Sequence, residues 1–134
     1  MELLPTLPTI KAPAEMFTGD VWIDFLYRGE DPSQARMYAV HFSPCARTAW
    51  HSHAVGQVLH VTEGIGLVAT RDGTVIVMRP GDTVHTPPGE WHWHGATPDH
   101  FMTHLGMQET DDVTWGEHVT DEEYRSAATH CAPR

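Results

Sequence analysis

The stretch His51-Ser52-His53-Ala54-Val55-Gly56-Gln57 and the later stretch Trp91-His92-Trp93-His94 decide how this sequence is expected to fold. Side chains alternate between the two faces of an extended strand, so both histidines and the glutamine of the first stretch share one side. The same alternation places the two histidines of the second stretch on one face. We expect the two strands to face each other across a pocket that binds one divalent metal ion. The expected ligands are His51, His53, Gln57 and His92.

A single metal pocket accounts for these histidines better than chance or a zinc motif of another type. The chain has eleven histidines, so neighbours could arise from composition alone, but the shared parity of His51 and His53 and the Pro/Gly turn before His92 argue against this. Cys45 and Cys131 are the only cysteines, which excludes a zinc finger or zinc ribbon. A helical zinc-protease site needs two histidines four residues apart with a glutamate between them, and the sequence has no such motif.

Length and charge limit the function further. With 134 residues, 40% of them hydrophobic, we expect one domain around a single core. The formal net charge of -10 argues against a nucleic-acid or anionic-membrane partner and favours a small-molecule substrate. No secretion signal or long apolar run is visible, so we expect a cytoplasmic protein whose two cysteines are free thiols.

Short segments rich in β-branched and aromatic residues, separated by Gly- and Pro-containing turns, dominate the chain. The predicted strands are 21–27, 36–42, 57–61, 65–69, 74–78 and 101–107. Many short strands with regular turns are typical of an all-β sandwich or barrel. The sequence therefore predicts an all-β fold.

The two ends of the chain differ from this pattern. Thr120 and Glu123 form a capping-box pattern, which predicts a short helix over residues 120–128. Residues 1–15, which contain three prolines, are expected to form an extended arm over the barrel or against a neighbouring subunit. The apolar strand 21–27 would expose a sheet edge on a lone subunit, so we expect a homodimer or homotetramer.

Alternation also indicates which other side chains face the pocket. They are Tyr38, Val40 and Phe42 on the strand before the first histidines, and His104 and Gln108 near the end of the sheet. The alternative is that the odd-numbered residues of segment 101–108 form the core side and His104 faces solvent. The tryptophans beside the histidines have the opposite parity and are expected to pack rather than to contact substrate: Trp50, Trp91 and Trp93.

These residues resemble the first sequence motif of the cupin superfamily. That motif is a glycine, five residues, His-x-His, three or four residues, a glutamate, six residues and a glycine. His51 and His53 match it, and Gly64 closes it. Cys45 stands where the motif has its first glycine, and Gln57 stands where it has the glutamate.

The second cupin motif is also present. Its pattern of glycine, Pro-x-Gly, histidine and asparagine is matched by Gly81, Pro87, Gly89 and His92, with Ala96 in place of the asparagine. The resemblance, over residues 45–96, implies that the whole chain is one cupin domain. Such a domain is a jelly-roll-like antiparallel β-barrel, here with a short C-terminal helix.

Within the cupins, several stretches resemble the small bacterial manganese-dependent hydroxynitrile lyases. These stretches are 46–53, 92–96, 102–105 and 117–122. The resemblance implies Mn²⁺ and places Thr48, His94, His104 and Gln108 around the substrate. The residues alone would equally accept Fe²⁺, Ni²⁺, Co²⁺ or Zn²⁺. Tyr38 departs from the lyases, which have a small residue there, and would narrow the pocket or add a phenol.

The sequence leaves three functions open. In the leading hypothesis, the metal lowers the pKa of a cyanohydrin hydroxyl, and His104 or His94 removes its proton. A protonated histidine or Thr48 then stabilises the departing cyanide. The alternatives are a metal-dependent dioxygenase of the quercetinase-like cupin type and a non-enzymatic cupin that binds a small molecule.

Overall fold

The predicted all-β pattern is present in the computed structural model, which describes residues 1–131. These residues form thirteen strands, one α-helix and a final 3₁₀ turn, Thr129–Cys131. The elements are β1 (Ile10–Lys11), β2 (Phe17–Thr18), β3 (Val21–Arg28), β4 (Ala35–Phe42), β5 (Arg47–Thr48), β6 (His51–His53), β7 (Gln57–Gly64), β8 (Gly66–Thr70), β9 (Val75–Met78), β10 (Thr83–Thr86), β11 (His92–Ala96), β12 (Met102–Glu109), β13 (Val113–Trp115) and α1 (Asp121–Ala128).

The strands form two curled antiparallel sheets. The first sheet has the order β1-β3-β4-β12-β7-β10, and the second contains the path β13-β6-β11-β5-β2. In the second sheet β8 pairs with β11 on one side and with β9 on the other. One apolar cluster joins buried residues of both sheets, including Phe42 and Leu59 from the first sheet and Val68 and Ala96 from the second. A second cluster joins the second sheet to α1 through Trp93 and Tyr124.

The six predicted strands and the predicted C-terminal helix are confirmed. The six predicted strands correspond to β3, β4, β7, β8, β9 and β12, with small shifts at their ends. The capping box is formed as predicted. The Thr120 hydroxyl accepts from the Glu123 amide at 3.0 Å, and the Glu123 carboxylate accepts from the Thr120 amide at 3.0 Å. Both bonds satisfy backbone donors that the first turn of a helix leaves free.

Five short strands were not predicted. Strands β1, β2, β5, β10 and β13 have only two to four residues each, so alternation gave little signal for them. β1 lies in the predicted N-terminal arm and pairs with Trp22 and Ile23 on the outer edge of β3. Beyond these two residues, the outer edge of β3 has no strand partner among residues 1–131.

The expectation that residues 51–57 form one strand is wrong. The chain leaves the second sheet after His53, turns at Gly56 with φ 81°, and enters the first sheet at Gln57. Gly56 is required there, because a Cβ would lie 2.9 Å from the carbonyl oxygen of Thr86. The two histidine strands also do not face each other. They are neighbours in one sheet, with His92 paired to His51, and only the glutamine comes from the opposite sheet.

The backbone conformation explains the residue types at both glycine positions of the first motif. Cys45 has φ 70°, the left-handed conformation that glycine adopts most easily, so it fills the backbone role of the first motif glycine. Gly64 has φ 76°, and a Cβ there would lie 1.7 Å from the carbonyl oxygen of Phe101.

No helix among residues 1–131 is long and apolar enough to cross a bilayer.

Candidate functional site

Three of the four predicted ligands form a group that can hold a metal ion. One ring nitrogen from each of His51, His53 and His92 lies within 4.8 Å of the others. The two histidines of β6 share a face by alternation, and strand pairing sets His92 beside His51. All three side chains are buried. The hydrogen-bonded sheet, rather than a flexible loop, therefore holds the group together.

Backbone carbonyls orient two of these rings. Nδ1 of His51 donates to the carbonyl of Ala49 at 2.9 Å, and Nδ1 of His92 donates to the carbonyl of Glu90 at 2.9 Å. A carbonyl can only accept, so Nδ1 carries the proton and Nε2 keeps its lone pair. Nε2 of His92 is buried without a hydrogen-bond partner among the described residues. This is the arrangement expected of an imidazole that binds a metal through Nε2.

Gln57, the fourth predicted ligand, comes from the opposite sheet. Its amide nitrogen donates to the hydroxyl of Tyr38 at 2.6 Å and to Oε1 of Gln108 at 3.1 Å. Its own Oε1 is buried and has no hydrogen bond within residues 1–131. The side chain lies beside His53 in the lining of the same cavity. The amide oxygen is therefore free to join the histidine group.

The unsatisfied atoms of this site fit a divalent cation. Both ring nitrogens of His53 are buried without partners, as are Nε2 of His92 and Oε1 of Gln57. Each buried polar atom left without a partner costs about 1–3 kcal/mol. Three imidazole nitrogens and one amide oxygen are ligands that first-row divalent metals accept. A bound ion would satisfy one nitrogen of His53, Nε2 of His92 and Oε1 of Gln57, and would offset that part of the cost.

Burial keeps the ligand histidines neutral. It lowers the pKa of His53 to about 4 and holds the pKa of His51 well below the ordinary value. The pKa of His92 is also lowered, mainly by burial. Because the charged form of each ring is disfavoured, all three are unprotonated near pH 7. A metal ion would therefore not have to displace protons from these ligands.

A cavity of about 310 Å³ opens onto the site. Its floor includes His51, His53 and Gln57, while most of its wall is apolar. The apolar wall includes Met16, Phe17, Ile23, Phe25, Val40 and Trp115. Pockets of this kind bury the apolar body of a small ligand and orient it through a few polar groups. The cavity therefore suits an apolar or aromatic molecule with one polar end toward the histidines.

A second pair of histidines adjoins the first group. His94 lines the cavity, and its Nδ1 lies 3.1 Å from Nε2 of His104. Both rings are buried, so the alternative in which His104 faces solvent is wrong. Burial lowers the pKa of His104 to about 4 and holds that of His94 well below its ordinary value. The pair is neutral near pH 7, and one of its members can accept a proton from a molecule in the cavity.

The remaining predicted residues lie around this pair. Thr48 lines the cavity, and its hydroxyl accepts from the backbone amide of His94 at 3.2 Å. Three more cavity-lining residues were predicted: Tyr38, Val40 and Gln108. Phe42 is fully buried behind the wall, where its ring centroid lies 5.9 Å from that of His94 and 5.4 Å from that of His104. It supports the two imidazoles instead of lining the cavity.

Sequence reasoning missed part of the cavity wall. Trp115 stacks on His51, with ring centroids 4.7 Å apart and an interplanar angle of 28°. Ile10, Pro13 and Met16, from the N-terminal arm and the segment after it, also line the cavity. The alternation of Val113 and Trp115 was a signal, but a three-residue strand is too short to be recognised. The arm carries no periodic signal.

The tryptophans beside the histidines pack away from this cavity, as expected from their parity. Trp50 and Trp93 are buried members of the second apolar cluster, and Trp91 is partly buried against it. β11 therefore presents its histidines to the site and Trp93 to the cluster under α1, while Trp50 and Trp91 directly precede β6 and β11.

Comparison with known proteins identifies the family. The sequence profile of the cupin domain matches residues 38–103. An (R)-mandelonitrile lyase from Granulicella tundricola is 52% identical over 86% of this chain and 90% of the relative. The crystal structure of a cupin-like protein from Thermotoga maritima superposes with a TM-score of 0.85, 37% identity and coverage of 95% and 97%. A polyketide cyclase from Streptomyces resistomycificus, 18% identical, shares the fold with a TM-score of 0.69 over 93% and 91%. The chain belongs to the cupin superfamily.

Proposed function

We propose that this protein is a hydroxynitrile lyase that uses one divalent metal ion to cleave or form cyanohydrins. The observation that carries the proposal is the buried set of His51, His53, His92 and Gln57 donors beside the His94–His104 pair, on one apolar cavity. The relative that is 52% identical and named (R)-mandelonitrile lyase supports the same reaction class. Mn²⁺ is the first choice of metal, because of the resemblance to the manganese-dependent lyases.

Four neutral donors define what the metal site contributes. Neither the three imidazoles nor the Gln57 amide reduces the charge of a bound dication, whereas the glutamate of the usual motif would. A divalent ion held there would act as a Lewis acid that lowers the pKa of a cyanohydrin hydroxyl. The protein supplies a rigid donor set and a water-poor wall around it.

The His94–His104 pair is proposed to take the hydroxyl proton. If Nδ1 of His94 donates to Nε2 of His104, then Nε2 of His94 keeps a lone pair for the substrate. Burial makes both rings neutral near pH 7, so the base is in its reactive form. As the proton moves to the pair, the C–C bond breaks, its electrons leave with cyanide, and an aldehyde forms.

Thr48 and the protonated pair are proposed to stabilise cyanide as it leaves. The oxygen of Thr48 already accepts from the His94 amide, so its own proton remains free to donate. The imidazolium formed in the previous step provides the opposite charge and then returns its proton to give HCN. No oxidant or reductant enters this cycle.

The wall of the cavity favours aldehydes with an apolar or aromatic body. Aromatic rings at Phe17, Phe25 and Trp115 line it, together with the ring of Tyr38. A cavity of about 310 Å³ can hold a substituted benzene ring with its cyanohydrin carbon toward the histidines.

An assay under two atmospheres tests this reaction class. Metal-loaded protein should release cyanide from mandelonitrile at the same rate in air and under argon. Consumption of O₂ with a phenolic or enolic substrate, and no cyanide release, would replace the lyase by the dioxygenase alternative. Binding of an aromatic aldehyde with neither reaction would support a non-enzymatic cupin.

We also propose that the protein assembles as a homodimer or homotetramer through β3. Trp22, Phe25, Leu26 and Tyr27 are each more than a third exposed, and most of the outer edge of this strand has no strand partner in residues 1–131. An exposed apolar sheet edge is a surface that proteins usually cover. Light scattering at micromolar concentration should give at least twice the mass of one chain, and a stable monomer would contradict this.

A further inference from the structure

We propose that Tyr38 and Gln108 form an orientation lock on Gln57, which holds its amide oxygen toward the three histidines of the metal site. In this role they are positioning residues, in addition to forming part of the cavity wall. The inference rests on the proposed function, in which Gln57 is the fourth metal donor.

The lock begins at a backbone carbonyl. Nε2 of Gln108 donates to the carbonyl of Thr110 at 3.1 Å. Because a carbonyl has no proton to donate, the atom of Gln108 that faces it must be the nitrogen. Oε1 of Gln108 is thereby directed to the opposite side, where it faces Tyr38 and Gln57. The orientation of one amide is thus fixed by an acceptor that cannot change.

Tyr38 extends this direction to Gln57. The hydroxyl of Tyr38 donates its single proton to Oε1 of Gln108. Its oxygen then accepts from Nε2 of Gln57 at 2.6 Å. Nε2 of Gln57 also donates to Oε1 of Gln108 at 3.1 Å, so both of its protons have partners. Oε1 of Gln57 is left on the other side of the amide, beside His53 and without a hydrogen bond in the described chain.

Rotation of the Gln57 amide by half a turn would break this arrangement. The amide oxygen would then face Oε1 of Gln108, and two acceptors would compete for the one proton of Tyr38. The NH₂ group would face the histidine group, where it could not bind a cation. The lock therefore excludes the orientation in which Gln57 is useless as a ligand.

The surrounding backbone is built to hold this lock. Thr110 has φ 61°, an uncommon conformation for a non-glycine residue, and its amide donates to the carbonyl of Gln34 at 2.8 Å. Gly106 lies opposite Tyr38 in the β4–β12 pair, and a Cβ there would lie 2.4 Å from the Tyr38 ring. A glycine at this position makes room for the phenol ring.

The need for a lock follows from the replacement of glutamate by glutamine. A carboxylate presents an oxygen to the metal whichever way it turns, whereas an amide does so in only one of two orientations. A cupin with Gln57 must therefore specify the orientation of this side chain, and Tyr38 and Gln108 do so here. The phenol of Tyr38 thus acts on the metal site as well as on cavity size.

The affinity of the protein for Mn²⁺ and Co²⁺ tests the lock directly. It can be measured by competition with a chromophoric chelator. Tyr38→Phe keeps the ring and removes the hydroxyl, and we expect about 10-fold weaker binding. Gln108→Leu removes the shared acceptor, and we expect about 100-fold weaker binding, the upper part of the range for residues that orient metal ligands. The visible spectrum of bound Co²⁺ should also change in both. Tyr27→Phe, on an exposed tyrosine of β3, is the matched control and should bind as wild type does.

A second background separates orientation from general support of the fold. In the Gln57→Glu background the fourth donor no longer depends on rotation, so Tyr38→Phe should weaken metal binding by less than about twofold. An equal loss in both backgrounds, or no loss in either, would overturn the orientation lock alone. Wild-type protein that binds no divalent ion would overturn the proposed function and the lock with it.

Discussion

The two faces of β11 (His92–Ala96) show two different uses of one short strand. On the inner face, His92 and His94 are buried beside ring nitrogens and an amide oxygen that have no hydrogen-bond partners in the described chain. On the outer face, Trp93 is buried against α1, with its ring centroid 5.9 Å from that of Tyr124. The hydroxyl of Tyr124 donates to the carbonyl of Ala96 at 2.6 Å. The inner face is a candidate site, and the outer face is a packed core.

The distribution of unsatisfied atoms measures this difference. Eight buried side-chain atoms in residues 1–131 have no hydrogen-bond partner, and six of them belong to the histidines of the inner face and to the histidines and glutamine that surround it. Buried polar atoms without partners destabilise a fold unless a ligand satisfies them. Stability from the outer cluster must offset this cost in the metal-free protein. The comparison therefore predicts that substitutions on the two faces affect different properties.

The largest effect is expected from a metal ligand on the inner face. His92→Ala removes one of three imidazoles, so the variant should fold but lose most of its bound metal and at least about 10⁴-fold in cyanide release. Elemental analysis and a cyanide assay measure the two losses. His85→Ala, on an exposed histidine of β10, is the control. Full metal occupancy in His92→Ala would remove this residue from the ligand set.

The histidine pair should affect turnover without affecting metal content. His94→Ala and His104→Ala should each lower the rate of cyanide release by about 10²- to 10⁴-fold, the usual effect of losing a general base. The two rings share one hydrogen bond, so the double variant should be little worse than the more damaging single variant. Near-full activity in His104→Ala would show that this ring plays no part in proton transfer.

The outer face should behave in the opposite way. Trp93→Ala leaves a large cavity in the second apolar cluster, so we expect the free energy of unfolding to fall by about 3–5 kcal/mol. The folded fraction should still bind one metal ion per chain, because the histidines project from the other side of the strand. Urea unfolding and elemental analysis check both statements. Loss of metal from fully folded Trp93→Ala would mean that the two faces are coupled.

Acid should destabilise the metal-free protein, because the buried histidines of the site must then take up protons. The pKa values of His53 and His104 fall from 6.5 to about 4 on burial, so between these values the unfolded chain binds more protons than the folded one. The free energy of unfolding therefore keeps its full value above pH 6.5. It falls as the pH is lowered toward 4, by about 3 kcal/mol for each ring. Urea unfolding at a series of pH values measures this free energy. His104→Gln should make its dependence on pH less steep. Constant stability from pH 7 to pH 4 would contradict the assignment of buried neutral histidines.

Sequence patterns predicted the parts of this molecule that repeat locally. The alternation of His92, Trp93 and His94 gave both faces of β11, and six longer strands and the capped helix were predicted close to their observed positions. The same alternation failed between His53 and Gln57, because Gly56 turns the chain into the other sheet. Periodicity describes a single strand and carries no information on where a chain changes sheets.

The rest of the site depends on contacts between distant parts of the chain. Trp115 reaches His51 only because β13 pairs with β6, and β13 is too short to be recognised alone. The lock on Gln57 requires β4, β7 and β12 to be adjacent in one sheet. Its anchor at Thr110 depends on a backbone conformation that residue type does not predict. These features became visible only once the strands were paired.

The dependence of cyanide release on bound metal tests the central claim most directly. Protein stripped with a chelator and reloaded with increasing Mn²⁺ should release cyanide from mandelonitrile in proportion to the ion bound. The rate should saturate at about one ion per chain, the stoichiometry of one site made of three histidines and one glutamine. Undiminished cyanide release by stripped protein, or none by fully loaded protein, would contradict a metal-dependent lyase.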